Sequence, residues 1–99
     1  MGIRKIVWSN RAIDRHLQIL RWYQDERGEQ FAVKFYQGIL NTIDLLTQMP
    51  TMGTLDERRS TSKIKYYTFL SHPKYRIIYR YTNTTLYVVA IHATMMKHN

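Results

Sequence analysis

"HPKYRIIYRY" (His72–Tyr81) is the stretch whose reading decides the fold. Side chains alternate along an extended strand. Tyr75, Ile77, Tyr79 and Tyr81 therefore fall on one side, and Arg76, Ile78 and Arg80 on the other. The first set is the apolar one and is assigned to the core. The arginines then stand on the opposite face, in solvent, and escape the heavy cost of burying an unpaired charge. Two neighbours read the same way. "KIKYYTFL" (Lys63–Leu70) precedes it across His72-Pro73, because proline has no place inside a central ladder. "TLYVVAIHA" (Thr85–Ala93) follows it across Thr82-Asn83-Thr84, a tight hairpin turn.

Upstream the period changes. Ile3–Ser9 reads as a first strand, and Ser9 or Asn10 offers an N-cap with Asp14 in the first turn. From about Arg11 to Arg27 the spacing is helical, with Ile13, Leu17 and Leu20 as the stripe and Ala12, Ile19 and Tyr23 widening it. Gly28 stops that helix. A second runs from Glu29 to about Gln48 with Phe31, Phe35, Ile39, Ile43 and Leu46 on one face, and Met49-Pro50 ends it. Thr51–Ser62 is polar and reads as a loop. The order β-α-α-β-β-β predicts one α+β domain over residues 1–99. Three successive strands favour a mainly antiparallel sheet, with the helical hairpin on one face and no helix left for the other.

Composition narrows the function. Fifteen Lys and Arg face seven Asp and Glu, a net charge of +8, and no acid follows Glu57. Such a balance predicts a polyanion or an acidic protein as partner. The absence of cysteine excludes disulfides, thiolate metal sites and thiol nucleophiles. The four histidines are scattered without helical pairing, so neither a metal nor a cofactor is expected. No apolar run reaches the ~18 residues of a membrane span. The N-terminus has no signal-peptide core, and Ile6 stands where a myristoylation signal carries Ser or Thr. A cytoplasmic protein without membrane partners is the expectation.

The strand phases also predict a site. Lys63 and Lys65 share a face with Tyr67 and Phe69. If Tyr87, Val89 and Ile91 are core, His92 opens on the arginine side. Lys63, Lys65, Arg76, Arg80 and His92 then line one concave surface, an arrangement that a single β-bulge would break. Each residue also has a plainer reading. Arg76 and Arg80 bind phosphate or pair with a carboxylate across the sheet. Lys63 and Lys65 are catalytic or the polar face of an edge strand. His92 is a general acid or base, or a strand-end histidine. His98 is a weaker candidate of the same kind, and His16 reads as an exposed helix residue. Arg58, Arg59, Lys74 and Lys97 are candidate nucleic-acid contacts or solvated cations. Glu57 is a loop general base or a solvated acid. Trp8 and Trp22 are core or partner-facing.

The ordered set of features resembles the RelE/ParE superfamily of toxins from type II toxin–antitoxin (plasmid stabilisation) systems. It comprises Trp8-Ser9 at a strand end, Ala12, Tyr23, Gly28, A-x-x-F at Ala32–Phe35, L-x-x-x-P-x-x-G from Leu46 to Gly53, and "YRIIYRY" with "LYVVAIH" as a final hairpin. The resemblance spans nearly the whole chain. It implies the same β-α-α-β-β-β fold and an antitoxin that wraps the toxin, here an acidic one. RelE-like members cut messenger RNA in the ribosomal A site without a metal, and ParE-like members inhibit DNA gyrase. "KIK" at Lys63–Lys65 is similar to a lysine pair of the nucleases, and Arg76 to their arginine at the scissile phosphate. The front half looks more like ParE. Thr94, Met95 and Met96 stand where the nucleases carry cations, leaving His92, Lys97 and His98 as the ionisable groups there. The leading expectation is a ribosome-dependent mRNA endonuclease. The alternatives are a gyrase inhibitor without chemistry, or a degenerate toxin that binds only its antitoxin.

Overall fold

One serine ends the first strand and starts the first helix. The computed structural model describes residues 2–71 and 75–93. Strand β1 (Lys5–Trp8) is followed directly by helix α1 (Asn10–Glu26). Between them, the Ser9 hydroxyl accepts the Ala12 N–H at 3.0 Å and caps the helix. The same hydroxyl donates to the Val89 carbonyl at 2.7 Å, and the Ser9 N–H donates to the Val88 carbonyl at 2.9 Å. With Ser9 as cap the helix begins at Asn10. Its first turn holds no acid, and Asp14 lies beyond it, contrary to expectation. At the far end, the N–H groups of Arg27 and Gly28 both donate to the Tyr23 carbonyl, and Gly28 takes a φ of 95°. Only a residue without Cβ reaches that conformation unstrained. Helix α2 (Glu29–Gln48) starts at the next residue and closes the expected hairpin.

The sheet has five strands in the order β1-β5-β4-β3-β2. β2 (Thr54–Leu55) lies inside the stretch read as loop, and pairs antiparallel with β3 (Tyr67–Ser71). β3 pairs with β4 (Tyr75–Tyr81), and β4 with β5 (Thr85–Ala93), both antiparallel. β1 lies parallel to β5 on the outer edge. At the β4–β5 turn, the Thr82 hydroxyl accepts the N–H groups of Thr84 and Thr85. His72-Pro73, the expected break between β3 and β4, falls outside the described residues.

The helices pack on the Tyr75, Ile77 and Tyr79 side of β4, as its phase predicts, and Tyr79 is fully buried. Its hydroxyl donates to the Pro50 carbonyl at 2.7 Å and accepts the Gly53 N–H at 3.0 Å. A Cβ on Gly53 would collide with the Tyr79 hydroxyl and lie 2.9 Å from Cε1, so this position admits only glycine without rearrangement.

One helix face is rotated from its sequence reading, and the other differs only at its first position. On α1 the buried row is Ala12, His16 and Ile19, whereas Ile13 and Leu17 are 40% and 48% exposed. On α2, Ala32 is buried in place of the half-exposed Phe31. The cause is aromatic packing. His16 sits edge-on to Trp8 at 5.2 Å and to Tyr36 at 5.6 Å, and tilts against Phe35 at 5.4 Å. An imidazole enclosed by three aromatic rings fills the space that an aliphatic stripe is expected to fill. Neither of its ring nitrogens has a hydrogen-bond partner among the described residues.

Ser9→Ala removes a helix cap and a bond to β5 at once, and should lower stability by about 1–2 kcal/mol in urea denaturation. Burial lowers the pKa of His16 below its ordinary 6.5. Below that value the unfolded chain therefore binds the proton that the folded chain refuses, and stability is lost as pH falls. Urea midpoints at about pH 7.5 and about pH 5.5 should differ less for His16→Phe than for the parent chain.

Candidate functional site

Several of the candidate side chains gather on the sheet face away from the helices. β4 and β5 pair Arg76 with His92 directly across the ladder. β3 places Leu70 on the other side of Arg76, and Thr68 beside Ile78. Above this face lies the segment after β2. Its organiser is Asp56, whose carboxylate accepts the Arg59 N–H and side-chain Nε, the latter at 3.1 Å, and the Thr68 hydroxyl. The Asp56 carbonyl accepts the Ser60 N–H and hydroxyl, and the Asp56 N–H donates to the Tyr66 carbonyl. So held, Glu57, Arg58 and Arg59 join Arg76 and His92 around a cleft of about 800 Å³, floored by Ile78.

The cleft is electropositive. Among the described residues Arg59–Asp56 is the only ion pair, so Arg58 and Arg76 line the cleft without an acid partner there. The pKa of His92 is lowered, first by burial and then by Arg59, Arg15, Arg11 and Arg76. Those cations arrive from the loop, from α1 and from the neighbouring strand. β1 pairs with β5 only as far as Val88, and α1 begins at that point, which brings Arg11 and Arg15 toward the end of β5. In the free protein these effects favour the neutral form of His92. An anion in the cleft offsets the same cations and favours the imidazolium.

The expected surface is reached only in part. Arg76, His92, Arg58 and Arg59 come together. Lys63 and Lys65 do not: they lie in an exposed turn before β3, where the Thr61 hydroxyl accepts the N–H groups of Lys63 and Ile64. The phase of that strand is also opposite to expectation, since Tyr67 and Phe69 pair with Tyr79 and Ile77 on the helix side. Arg80 lies further along the sheet, with its guanidinium 3.8 Å from the centroid of the Tyr87 ring. Tyr87, read as core, is on the arginine face, because a bulge opposite Ile78/Tyr79 leaves Val89 without a partner and reverses the phase of β5. Lys74, Lys97 and His98 fall outside the described residues.

Glu57 is the residue whose functional reading gains most. Its only signal in the sequence is its place in the turn-forming run that starts at Asp56. Among the described residues no three His, Asp or Glu side chains cluster as a metal site, and no helix is long and apolar enough to cross a membrane.

A family model described as "ParE toxin of type II toxin-antitoxin system, parDE" matches residues 6–97. No curated protein matches the sequence. Among solved structures the fold is similar to one described as "Chromosomal ParDE TA system from P. aeruginosa", with a TM-score of 0.73 over 92% of this chain and 96% of that one. The two are 16% identical, so the likeness is one of fold.

The charge arrangement is testable by NMR titration. His92 should titrate below 6.5 in the free protein. Arg76→Gln, or added inorganic phosphate, should move it upward, because each removes or screens a neighbouring cation.

Proposed function

The chain belongs to the ParE toxin family of type II toxin–antitoxin systems; from the make-up of its cleft, rather than from the family, we propose that this toxin cleaves messenger RNA on the ribosome by acid–base chemistry. The observation that carries this reading is the single cleft holding Glu57, Arg76 and His92 between two further arginines. RNA transesterification needs three things: a base for the 2′-OH, fixed positive charge for the pentavalent phosphorane, and an acid for the 5′-oxygen. Glu57 takes the 2′-OH proton. The 2′-oxygen then attacks phosphorus and the bond to the 5′-oxygen breaks. His92, protonated once the phosphate offsets its neighbouring cations, gives its proton to that oxygen. The products are a 2′,3′-cyclic phosphate and a 5′-hydroxyl. Arg76, with Arg58, holds the phosphate oxygens, and a guanidinium keeps its charge at any working pH.

A second reading is favoured by a different observation. Lys63 and Lys65, the pair similar to the nuclease lysines, stand away from the cleft. A toxin that binds DNA gyrase without chemistry has no need of them. In either reading the partner in the cell is an acidic antitoxin, whose carboxylates complement the +8 chain.

Translation reactions with a defined message separate the two. Cut ends bearing cyclic phosphate, reduced about 100-fold or more by Arg76→Ala and comparably by Glu57→Gln and His92→Gln, support the nuclease. Intact message together with double-strand DNA breaks in gyrase assays supports the inhibitor and sinks the nuclease.

A further inference from the structure

Beyond the cleft, the same sheet face carries a second feature, built by the bulge. Had β5 kept one phase, Tyr87 would lie under the helices. The unpaired Val89 turns it to the open face instead, directly opposite Arg80 in register. The guanidinium lies 3.8 Å from the ring centroid, within van der Waals contact of the aromatic face, and neither residue is fully buried. Stacking on an aromatic ring fixes an arginine that would otherwise sample many rotamers. The result is a flat, cationic step. Lys5 shares this face, since β1 pairs Lys5 with Thr85 and Val7 with Tyr87 in parallel register. The arginine face therefore runs from His92 and Arg76, past the buried Ile78 and Ala90, to Arg80 and Tyr87, and on to Lys5. Along it a cation meets an aromatic ring at one place, Arg80 on Tyr87, flanked by cations on both sides. Arg80 lies four residue steps beyond Arg76 on β4, about 13 Å along the strand. On an extended single strand that distance is roughly two nucleotides.

We propose that the Arg80–Tyr87 stack is a base-binding step for single-stranded RNA, seating a nucleobase about two nucleotides from the phosphate held at Arg76. This rests on the reading of the face as an RNA-cleaving surface and adds a subsite to it. A nucleobase stacks on the guanidinium plane or replaces it against the ring. Both tolerate any base, because every base offers a π-face. Lys5 follows the backbone beyond the stack. The step contributes binding to substrates long enough to reach it and nothing to a minimal one.

The test uses the full chain and 2′-O-methyl oligoribonucleotides, which cannot be cleaved because their attacking oxygen is blocked. Affinities for a dinucleotide and a hexanucleotide are measured at low salt by calorimetry, with circular dichroism confirming that each variant folds. The parent should bind the hexanucleotide more tightly. Tyr87→Leu should weaken hexanucleotide binding by about fivefold or more and leave the dinucleotide unchanged. Tyr87→Phe, which keeps the ring, should restore it. Arg80→Lys, which keeps the charge without the plane, should fall between. Unchanged hexanucleotide binding by Tyr87→Leu overturns the stacking step while leaving the Arg76 cleft intact. Failure of the parent chain to bind either oligonucleotide overturns the RNA-cleaving reading, and the subsite with it. If Tyr87→Leu weakens only the binding of an acidic helical peptide, the stack belongs to a protein contact and the proposal falls.

Discussion

Hydrogen bonds at Ser9 join β1, β5 and α1, and the rest of the architecture depends on them. Its N–H and hydroxyl tie the end of β1 to two successive carbonyls of β5, while its oxygen caps α1. The Val89 carbonyl it satisfies belongs to the residue that the β4–β5 ladder leaves unpaired. A buried carbonyl without a partner costs as much as a lost hydrogen bond, so the serine makes the bulge tolerable. The bulge in turn sets which side chains of β5 face the helices. On its far side Leu86 and Val88 enter the core and Tyr87 leaves it; on its near side Ile91 enters and His92 leaves.

The second constraint is Tyr79. Its ring fills the centre of the core, and its hydroxyl spans to Pro50 and Gly53. Burial pushes that hydroxyl up to about 12, while the hydrogen bond from the Gly53 N–H works in the opposite direction. The tether fixes where the chain leaves α2. β2 then follows at Thr54, and the Asp56-centred turn is carried over the open sheet face. The position of Glu57, Arg58 and Arg59 is thus decided by a tyrosine on the opposite side of the sheet. A parallel device joins the hydroxyls of Tyr23 of α1 and Tyr75 of β4, and Phe35 packs against both rings.

Much of this was legible in the chain. The alternation of Tyr75–Tyr81 placed one strand correctly, because strands pleat with period two and charges avoid the core. The glycine at 28 and the proline at 50 marked the ends of both helices, because each acts through its own backbone. Arg76 and His92 were recognised as neighbours on one face. Lys63 and Lys65 stand off the expected surface because the strand period does not extend into their segment, whose backbone is bonded to Thr61 instead. The burial of His16 is not legible in the chain, because a polar residue on a helix has no local mark of being enclosed by Trp8 of β1 and by Phe35 and Tyr36 of α2.

The sequence by itself determined the element order, the helix boundaries, the cationic surplus and the face of β4 that meets solvent. These follow from local backbone chemistry and from side-chain periodicity, which act over a few residues. Only the tertiary structure decided which cations share a cleft, that Glu57 lies among them, and that Tyr87 stacks beneath Arg80. Those depend on one bulge residue and on the path of one loop. Both are set by hydrogen bonds between groups as far apart as Ser9 and Val89, 80 residues along the chain.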